Sequence, residues 1–563
     1  MARTAAIGIQ DFETVITKEC FYVDKTNFIK EWWESNDSVT LITRPRRFGK
    51  TLTMSMVERF FSVKYAGQGN VFENLAIWKE QGYRELQGTY PVISLSFASV
   101  KENNFEMVRK KINQLLTMIY EKNSFIKDSG ILGDKELDYY NRVSKDMDDS
   151  DASLALYQMS DFLSRYYGKK VIILLDEYDT PMQEAYVGGY WDELVSYTRS
   201  LFNAAFKTNP YLERGIMTGI TRVSKESIFS DLNNLKVVTT TSDEYADIFG
   251  FTEQEVFAAM DEFGYDEKEE VKLWYDGFTF GKIKDIYNPW SIINYLDTGR
   301  VGAYWANTSS NSLVGKLIRE GSQDIKQSFE GLLQGGTLVA AIDEQIVYNQ
   351  IGDDEDAIWS LLLASGYLKV LSVDDTEMRM GIGSVRYELT LTNREVRMMF
   401  ESMIKGWFSG RSKGDYNRFI KALLSDDKKL MNIYMNKVAL ATISYFDSGN
   451  QPSGSEPERF YHGFVLGLLV DLRGRYTITS NRESGYGRYD IMLEPQNKDD
   501  AAIIMEFKVY DEEDEKTLQD TVASALAQIE EKNYAQSLIE KGIREEKIRK
   551  YGFAFQGKKV LIG

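Results

Sequence analysis

The sequence is poor in the residues that form disulfides and bind transition metals. Its 563 residues include one cysteine, Cys20, and one histidine, His462. One cysteine excludes a disulfide scaffold and a cysteine-based zinc cluster. One histidine excludes multi-histidine metal sites and argues against a Ser-His-Asp triad. Any metal must therefore be bound mainly by oxygen atoms, which favours Mg²⁺ or Mn²⁺.

The sequence also has no uninterrupted run of about 20 apolar residues and no apolar signal-peptide core at its N-terminus. We therefore expect a soluble cytoplasmic protein with no membrane partner. The net charge of −18 argues against a chain that coats nucleic acid indiscriminately, although a local basic cleft is compatible with it. At roughly 150 residues per domain, the length predicts three or four domains.

Short apolar segments alternate with amphipathic helical stretches through the first 245 residues. This alternation is typical of a parallel sheet covered by helices on both faces. We expect an α/β domain over 1–245, with strands at 38–43, 91–97, 171–175 and 215–221.

The rest of the chain divides into a helical middle region and a small C-terminal domain. Residues 246–447 are predominantly helical, with a helix–hairpin–helix order near 356–393 that resembles a winged helix. Residues 448–457 are rich in Gly, Ser and Pro and form the predicted linker. Residues 458–563 are predicted to form a second α/β domain: a helix, a strand, a hairpin, a helix of about 20 residues and a last strand.

A phosphate-binding loop is predicted between the first strand and the helix that follows it. Residues 38–56 read SVTLITRPRRFGKTLTMSM, which is a strand, a turn and then Gly-Lys-Thr at the start of a helix. Lys50 would reach the β- and γ-phosphate oxygens, and the Thr51 hydroxyl would bind Mg²⁺. The full motif is incomplete because Arg44 replaces its first glycine, so a basic helix N-terminus is the alternative. The predicted nucleotide-binding positions in the loop are Arg46, Arg47, Phe48, Gly49, Lys50 and Thr51.

A second acidic element supports the nucleotide site. Residues 171–177 read VIILLDE, a buried strand that ends in two carboxylates. Asp176 would hold Mg²⁺, and Glu177 would orient or deprotonate the attacking water. A further strand ends at Thr221 and Arg222, either of which could contact the γ-phosphate. A solvated strand end is the simpler alternative for any one of these strands.

Several long strings resemble the "AAA-ATPase-like" family of bacterial proteins that carry a C-terminal nuclease-like domain. They are FYVDKTNFI, RPRRFGKTL, LLDEYDTP, TGITRVSKESIFSDLNNL, YNPWSIINYL and YWANTSSN. The resemblance spans almost the whole chain. It implies a P-loop ATPase of the AAA or STAND type, in which an arginine at position 44 is normal.

The aromatic residues of the middle region, Trp274, Tyr275, Phe278 and Trp290, are predicted to be core residues.

Two carboxylates and a lysine are predicted to converge near the C-terminus. If 489–494 and 501–509 form a hairpin centred on residue 498, Asp490 lies opposite Glu506, and Lys508 shares its face. Such a group can bind one or two Mg²⁺ ions and activate water for phosphodiester hydrolysis. A surface ion pair is the alternative, but Glu506 lies within an apolar strand, where an unpaired carboxylate is costly.

This arrangement resembles the PD-(D/E)XK nuclease superfamily. By that resemblance, Glu458 is a further metal ligand, and Gln528 and Tyr534 are secondary site residues. We predict an ATP-binding and ATP-hydrolysing protein coupled to a Mg²⁺-dependent nuclease, with DNA as the favoured partner and a role in defence or mobile-DNA processing. The alternative is an ATP-dependent switch or scaffold whose nuclease-like domain binds without cleaving. The oligomeric state is left open.

Overall fold

The computed structural model describes residues 3–222, 232–306, 312–343, 355–380, 384–407, 413–446, 456–484, 487–511 and 515–563. The chain forms two compact units. Unit 1 comprises residues 1–309 and 339–396, and unit 2 comprises residues 310–338 and 397–563. The predicted middle region, 246–447, thus contributes to both units. The predicted linker, 448–457, lies almost entirely outside the described residues, and the domain boundaries stay a prediction.

A five-stranded parallel sheet forms the centre of unit 1. Its strands lie in the order β2-β3-β4-β1-β5, and every neighbouring pair is parallel. All residues of β1 and β3 are buried, because helices cover both faces of the sheet. The strands are β1 (Val39–Thr43), β2 (Val92–Ser96), β3 (Val171–Asp176), β4 (Leu212–Gly219) and β5 (Leu235–Val238).

The predicted α/β class of this region is confirmed, and four of its five strands were predicted. The sequence analysis missed β5, which is short and has only one buried residue, Val238. The helices that accompany the sheet are α1 (Phe12–Thr17), α2 (Asn27–Ser35), α3 (Lys50–Phe61), α4 (Gln81–Leu86), α5 (Phe105–Lys122), α6 (Phe125–Asp128), α7 (Asp134–Arg142), α8 (Asp149–Tyr167), α9 (Thr180–Gly188) and α10 (Trp191–Phe202).

The rest of unit 1 contains two three-stranded sheets and short helices. One sheet has the order β6-β8-β7 and the other β10-β11-β9. The strands are β6 (Phe251–Thr252), β7 (Phe278–Phe280), β8 (Ile283–Tyr287), β9 (Leu338–Ala341), β10 (Leu368–Asp374) and β11 (Arg386–Leu391). The helices are α11 (Glu253–Phe263), α12 (Lys268–Tyr275), α13 (Pro289–Thr298), α16 (Glu355–Ala364) and α17 (Thr376–Arg379).

Unit 2 contains a mixed sheet with the order β12-β13-β14-β15-β16, in which only β14 and β15 are parallel. The strands are β12 (Tyr476–Ser484), β13 (Gly487–Pro495), β14 (Ala502–Val509), β15 (Ile548–Gln556) and β16 (Lys559–Ile562). The helices are α14 (Ser312–Glu320), α15 (Gln323–Leu333), α18 (Arg394–Trp407, whose first turn lies in unit 1), α19 (Lys413–Ser425), α20 (Lys428–Phe446), α21 (Glu456–Asp471), α22 (Leu518–Glu531) and α23 (Gln536–Glu540).

The end of the chain differs from the prediction in two places. The helix predicted to have about 20 residues is α22, with 14 residues. The chain turns shortly after it at Asn533, which has the left-handed φ of 51°. The predicted last strand is a hairpin of β15 and β16, because Gly557 at φ 56° turns the chain back.

Two asparagines of α20 cover the free edge of β16. Asn432 exchanges two hydrogen bonds of 2.8 Å with the N–H and C=O of Ile562. Asn436 does the same with Val560, at 3.0 and 2.6 Å. The match is geometric, since four helical residues rise about 6 Å and two strand residues about 6.8 Å. The side-chain amides thus take the place of another strand and prevent pairing with a second chain.

We expect the double substitution Asn432→Ala with Asn436→Ala to lower the free energy of unfolding by about 2–4 kcal/mol, since four backbone groups lose their partners. Amide hydrogen exchange at Val560 and Ile562 should accelerate. Lys429→Ala, an exposed change on the same helix, is the control. Unchanged exchange at both amides in the double variant would contradict this interpretation.

Candidate functional site

The carboxyl ends of three parallel strands meet beside the predicted phosphate-binding loop. In the sheet, β4 pairs with β1 on one side and with β3 on the other. The register places Leu175 opposite Met217, so the next residues, Asp176 and Thr218, are neighbours. Because parallel strands end at the same edge of a sheet, the loop after β1 and the acidic end of β3 face one crevice.

Asp176 links the start of α3 to the end of β4. The Thr51 hydroxyl donates to Asp176 Oδ2 at 2.7 Å, and the Thr218 hydroxyl donates to Asp176 Oδ1. Asp176 is 5% exposed, so these contacts compensate a carboxylate that has lost most of its water. A threonine hydroxyl and a carboxylate in contact form the oxygen pair that a Mg²⁺ ion beside a nucleotide requires.

Lys50 lies inside the loop that it belongs to. Its ammonium group donates to Arg44 O and Pro45 O, both at 2.8 Å. Burial lowers the pKa of Lys50 to about 8, and the nearby Glu177 and Asp176 carboxylates only partly oppose this. Gly49 ends the loop at φ 83°, a left-handed conformation that glycine adopts without strain.

The loop packs against the aromatic residues of β7. Phe48 is 1% exposed, and its ring centroid lies 4.7 Å from that of Phe278 and 5.4 Å from that of Phe280. Gly366 approaches closely as well, since a Cβ there would lie 2.9 Å from Pro45. The position of the loop thus depends on segments more than 200 residues later in the chain.

A cleft of about 350 Å³ opens beside the loop. Its polar lining comes from the loop and from Glu177, Thr180 and Lys101. Its apolar lining residues include Ile7, Ile9, Phe21, Tyr22, Val23, Phe251, Trp290 and Ile293. All six loop residues predicted to bind nucleotide, Arg46, Arg47, Phe48, Gly49, Lys50 and Thr51, line the cleft.

Glu177 lines the cleft from the end of β3. Its φ of 52° is left-handed, which costs a non-glycine residue about 1–2 kcal/mol. Such backbone strain is concentrated at functional sites. Thr180 Oγ1 donates to Glu177 Oε2 at 3.2 Å and fixes the carboxylate.

Thr221 and Arg222 do not line this cleft. Asp179 Oδ2 accepts hydrogen bonds from the Thr221 amide and hydroxyl at 2.9 and 3.0 Å. Arg222 lines a separate cavity of about 20 Å³, together with Thr43 and Thr239. The contact of Arg222 with a nucleotide therefore stays a prediction.

The second candidate site lies on β13 and β14 of unit 2. Ile491 pairs with Met505 in the antiparallel register, so Asp490 and Glu506 follow as neighbours, as the hairpin centred on residue 498 predicts. Asp490 Oδ2 also accepts a hydrogen bond from the Phe507 amide at 2.6 Å.

The two carboxylates lie side by side, Glu506 buried and Asp490 half-buried. Glu506 is 3% exposed; burial and the neighbouring Asp490 raise its pKa to about 8. Burial also raises the pKa of Asp490 to about 6. Among the described residues, Glu506 Oε2 has no hydrogen-bond partner. A buried oxygen of this kind, beside a second carboxylate, fits a divalent cation, which would compensate both negative charges.

Lys508, Gln528 and Tyr534 surround the carboxylates. The Lys508 ammonium donates to Ser524 Oγ at 3.0 Å, and its charge opposes the rise in both carboxylate pKa values. Gln528 Nε2 contacts Glu506 Oε1 and lies 3.2 Å from the Tyr534 hydroxyl. The structure therefore brings together the two residues that the sequence suggested as secondary ones.

The third predicted metal ligand, Glu458, belongs to α21, but its side chain lies outside the described residues, as does that of His462. Within the described part of the chain, no three or more His, Cys, Asp or Glu side chains form a group that could hold a metal. The site is therefore built, as far as it is described, on two carboxylates and a lysine.

Sequence reasoning missed Thr218, Asp179 and the role of Trp290. Thr218 lies on β4 and meets Asp176 only through the register of β4 with β3, which no local sequence pattern shows. Trp290, predicted to be a core residue, lines the cleft, and the Arg47 guanidinium lies 4.4 Å from its ring. The YNPW string that contains Trp290 contributed to the family resemblance, but it did not indicate that Trp290 lines the cleft.

Comparisons with known proteins agree with this arrangement. Residues 6–229 match a family described as "Predicted AAA-ATPase", and residues 456–563 match the PD-(D/E)XK nuclease superfamily. The chain therefore combines an AAA-ATPase-like domain with a PD-(D/E)XK nuclease-superfamily domain. The AAA-ATPase-like domain contains the cleft loop and the acidic end of β3, and the nuclease-superfamily domain contains Asp490, Glu506 and Lys508.

A relative extends the similarity beyond one domain. The "Uncharacterized protein in vnfD 5'region" of Azotobacter chroococcum mcd 1 is 25% identical over 397 residues, which cover 69% of this chain and 68% of that protein.

Among the described helices, none combines the length and apolar character needed to cross a membrane.

Glu395, at the start of α18, is a buried carboxylate that contacts α13 and Trp305. It is 1% exposed and accepts hydrogen bonds from the Trp305 amide at 2.6 Å and the Ser291 hydroxyl at 2.8 Å. Burial nevertheless raises its pKa to about 7. A glutamate in the unfolded chain has a pKa of about 4.3. Between this pH and the higher pKa of Glu395, the folded protein therefore binds the proton more tightly than the unfolded chain does.

The stability that comes from binding this proton more tightly in the folded state is therefore fully present below about pH 4. It is lost as the pH rises to about 7, and the free energy of unfolding falls by about 2–4 kcal/mol. Glu395→Gln removes the ionisation while an amide oxygen still accepts from Trp305. The melting temperature of Glu395→Gln minus that of the wild type should increase from pH 5 to pH 8, with exposed Glu377→Gln as control. A difference independent of pH would exclude the ionisation of Glu395 as its cause.

Proposed function

We propose that this protein binds and hydrolyses ATP in the cleft of the AAA-ATPase-like domain. The observation that supports this most directly is the Thr51–Asp176 hydrogen bond beside a cleft that is lined by both polar and apolar residues. The polar lining suits a triphosphate, because the loop offers backbone N–H groups, a helix N-terminus and Lys50. The apolar lining residues suit the faces of a nucleoside base.

The residues of the cleft have separable tasks. Lys50 neutralises phosphate charge, and Thr51 and Asp176 would hold Mg²⁺. The Mg²⁺ ion would draw electron density from the phosphate oxygens. Glu177 accepts a proton from the attacking water at its carboxylate, which Thr180 holds in place.

Lys50→Ala should abolish measurable ATP binding, since the buried cation at the phosphate position is lost. Glu177→Gln should retain ATP binding and lower kcat by about 100-fold or more, because only the proton acceptor is removed. A phosphate-release assay and fluorescent-nucleotide titration measure the two effects. Exposed Lys110→Ala and Glu193→Gln are the matched controls. Wild-type turnover in both site variants would exclude this cleft as the ATPase site.

We further propose that the PD-(D/E)XK domain cleaves phosphodiester bonds of nucleic acid, with DNA as the favoured substrate. The supporting observation is the buried Glu506 Oε2, which lies next to Asp490 and has no hydrogen-bond partner among the described residues. These carboxylates would hold Mg²⁺ or Mn²⁺, which would supply an acidic water and stabilise the scissile phosphate. Lys508 orients a water or stabilises the developing negative charge. Nucleic acid must approach against the net charge of −18, so contacts near the site must be locally basic.

Incubation with supercoiled, linear and single-stranded DNA and with RNA, in Mg²⁺ or Mn²⁺ and with or without ATP, tests this second activity. Glu506→Gln should lower cleavage and Mn²⁺ affinity by about 100-fold or more. Lys508→Ala should lower cleavage by a similar factor and retain Mn²⁺ binding. Exposed Glu531→Gln is the control on α22.

Stimulation by ATP would support coupling of the two activities, as in a nuclease used for defence or mobile-DNA processing. ATP hydrolysis without cleavage of any substrate would contradict the nuclease and support a nucleotide-dependent switch or scaffold.

A further inference from the structure

The peptide group between Arg46 and Arg47, within the cleft loop, is held by two distant side chains. Arg46 O accepts a hydrogen bond from Trp305 Nε1 at 3.0 Å and a second from Asn288 Nδ2 at 3.3 Å. The donors lie 259 and 242 residues later in the chain. Few backbone carbonyls in a loop receive two side-chain donors, since most hydrogen bonds are formed between backbone groups.

The orientation of this carbonyl determines the orientation of the next N–H group. In a planar trans peptide, the C=O and the N–H of the following residue point in opposite directions. Since Arg46 O points toward Trp305 and Asn288, the Arg47 N–H points away from them. Among the described residues, the Arg47 N–H donates to no acceptor.

The backbone at Arg47 would not adopt this orientation readily by itself. Arg47 has a φ of 67°, in the left-handed region that costs a residue with a side chain about 1–2 kcal/mol. Two hydrogen bonds to Arg46 O, of about 0.5–1.5 kcal/mol each, are sufficient to offset this cost. The Arg47 side chain adds a contact with the Trp290 ring on the cleft wall.

The donors themselves are fixed. Asn288 is 1% exposed, and its Oδ1 accepts from the Trp290 and Ser291 amides at the start of α13. Because Oδ1 is occupied as an acceptor, Nδ2 is the group that faces Arg46 O. Trp305 is 4% exposed, and its ring packs at 5.7 Å from the Phe278 ring.

Glu395 links the two donor residues through its own hydrogen bonds. One carboxylate oxygen accepts from the Trp305 amide, and the other accepts from Ser291 in the first turn of α13. A single buried carboxylate thus fixes the backbone of Trp305 and the helix that Asn288 caps.

We propose that Asn288 and Trp305 are positioning residues for phosphate binding. They orient the Arg46–Arg47 peptide so that the Arg47 N–H donates to a nucleotide phosphate, and Glu395 holds both of them in place. The proposal rests on the proposed ATP-binding function of the cleft and assigns a task to the YNPW and YWANTSSN strings. Neither side chain needs to touch the nucleotide itself.

Two substitutions remove the donors and preserve the surrounding structure. Trp305→Phe keeps the aromatic packing and lacks the Nε1–H. Asn288→Ser keeps an oxygen that can cap α13 but is too short to reach Arg46 O. Trp274→Phe is the matched control, because Trp274 is 8% exposed and its Nε1 has no hydrogen-bond partner among the described residues.

Titration of each full-length variant with fluorescent ADP and, by competition, with adenosine tests the proposal. Each site variant should bind ADP about three- to tenfold more weakly, and the loss should be larger in the double variant. Affinity for adenosine, which has no phosphate, should not change. In ATP hydrolysis, KM should rise more than kcat falls, since a binding contact is removed. Trp274→Phe should match the wild type in every measurement.

Unchanged ADP affinity in both site variants, with a wild type that binds ADP, would overturn this inference and leave the proposed ATP site intact. An equal loss of ADP and adenosine affinity would also overturn it, because the effect would then lie on the base or on the fold. A wild-type protein that binds neither ADP nor ATP would overturn the proposed ATP site, and the inference with it.

Discussion

The parallel alignment of β1, β4 and β3 is the constraint on which the nucleotide cleft depends. It places a loop, a threonine and two carboxylates at one edge of the sheet, although Thr51, Asp176 and Thr218 are far apart in the chain. The buried Asp176 in turn requires hydroxyl donors on both sides. The same requirement that stabilises the fold therefore assembles an oxygen-rich edge that suits a metal-bound phosphate.

The backbone beside the cleft combines strain with support from distant residues. Arg47 in the loop and Glu177 at the end of β3 both adopt left-handed backbone conformations without being glycine. The surrounding contacts compensate for this: Phe48 packs between aromatic rings of β7, and Arg46 O is held by two donors. Loops with such support are rigid before a ligand arrives, and rigid donors lose little entropy on binding.

The two units use buried carboxylates in different ways. Glu395 in unit 1 has hydrogen-bond donors for both oxygens, and its role is to connect parts of the structure. Glu506 in unit 2 has one oxygen without a partner among the described residues. A satisfied buried carboxylate is typical of a structural link, whereas an unsatisfied one next to Asp490 is typical of a site that accepts a cation.

Local patterns were sufficient to predict the α/β class, four strands of the parallel sheet, the cleft loop and the hairpin register that joins Asp490 to Glu506. Each of these follows from apolar runs, period-two alternation or turn residues within a short window. Strand β5 and the hairpin of β15 and β16 were missed, because short strands carry a weak pattern. Asn288, Trp305 and Glu395 could not be assigned from the sequence. Their contacts with Arg46 and with each other join residues about 90 to 260 positions apart, and only the packing of the folded chain decides which distant side chains meet.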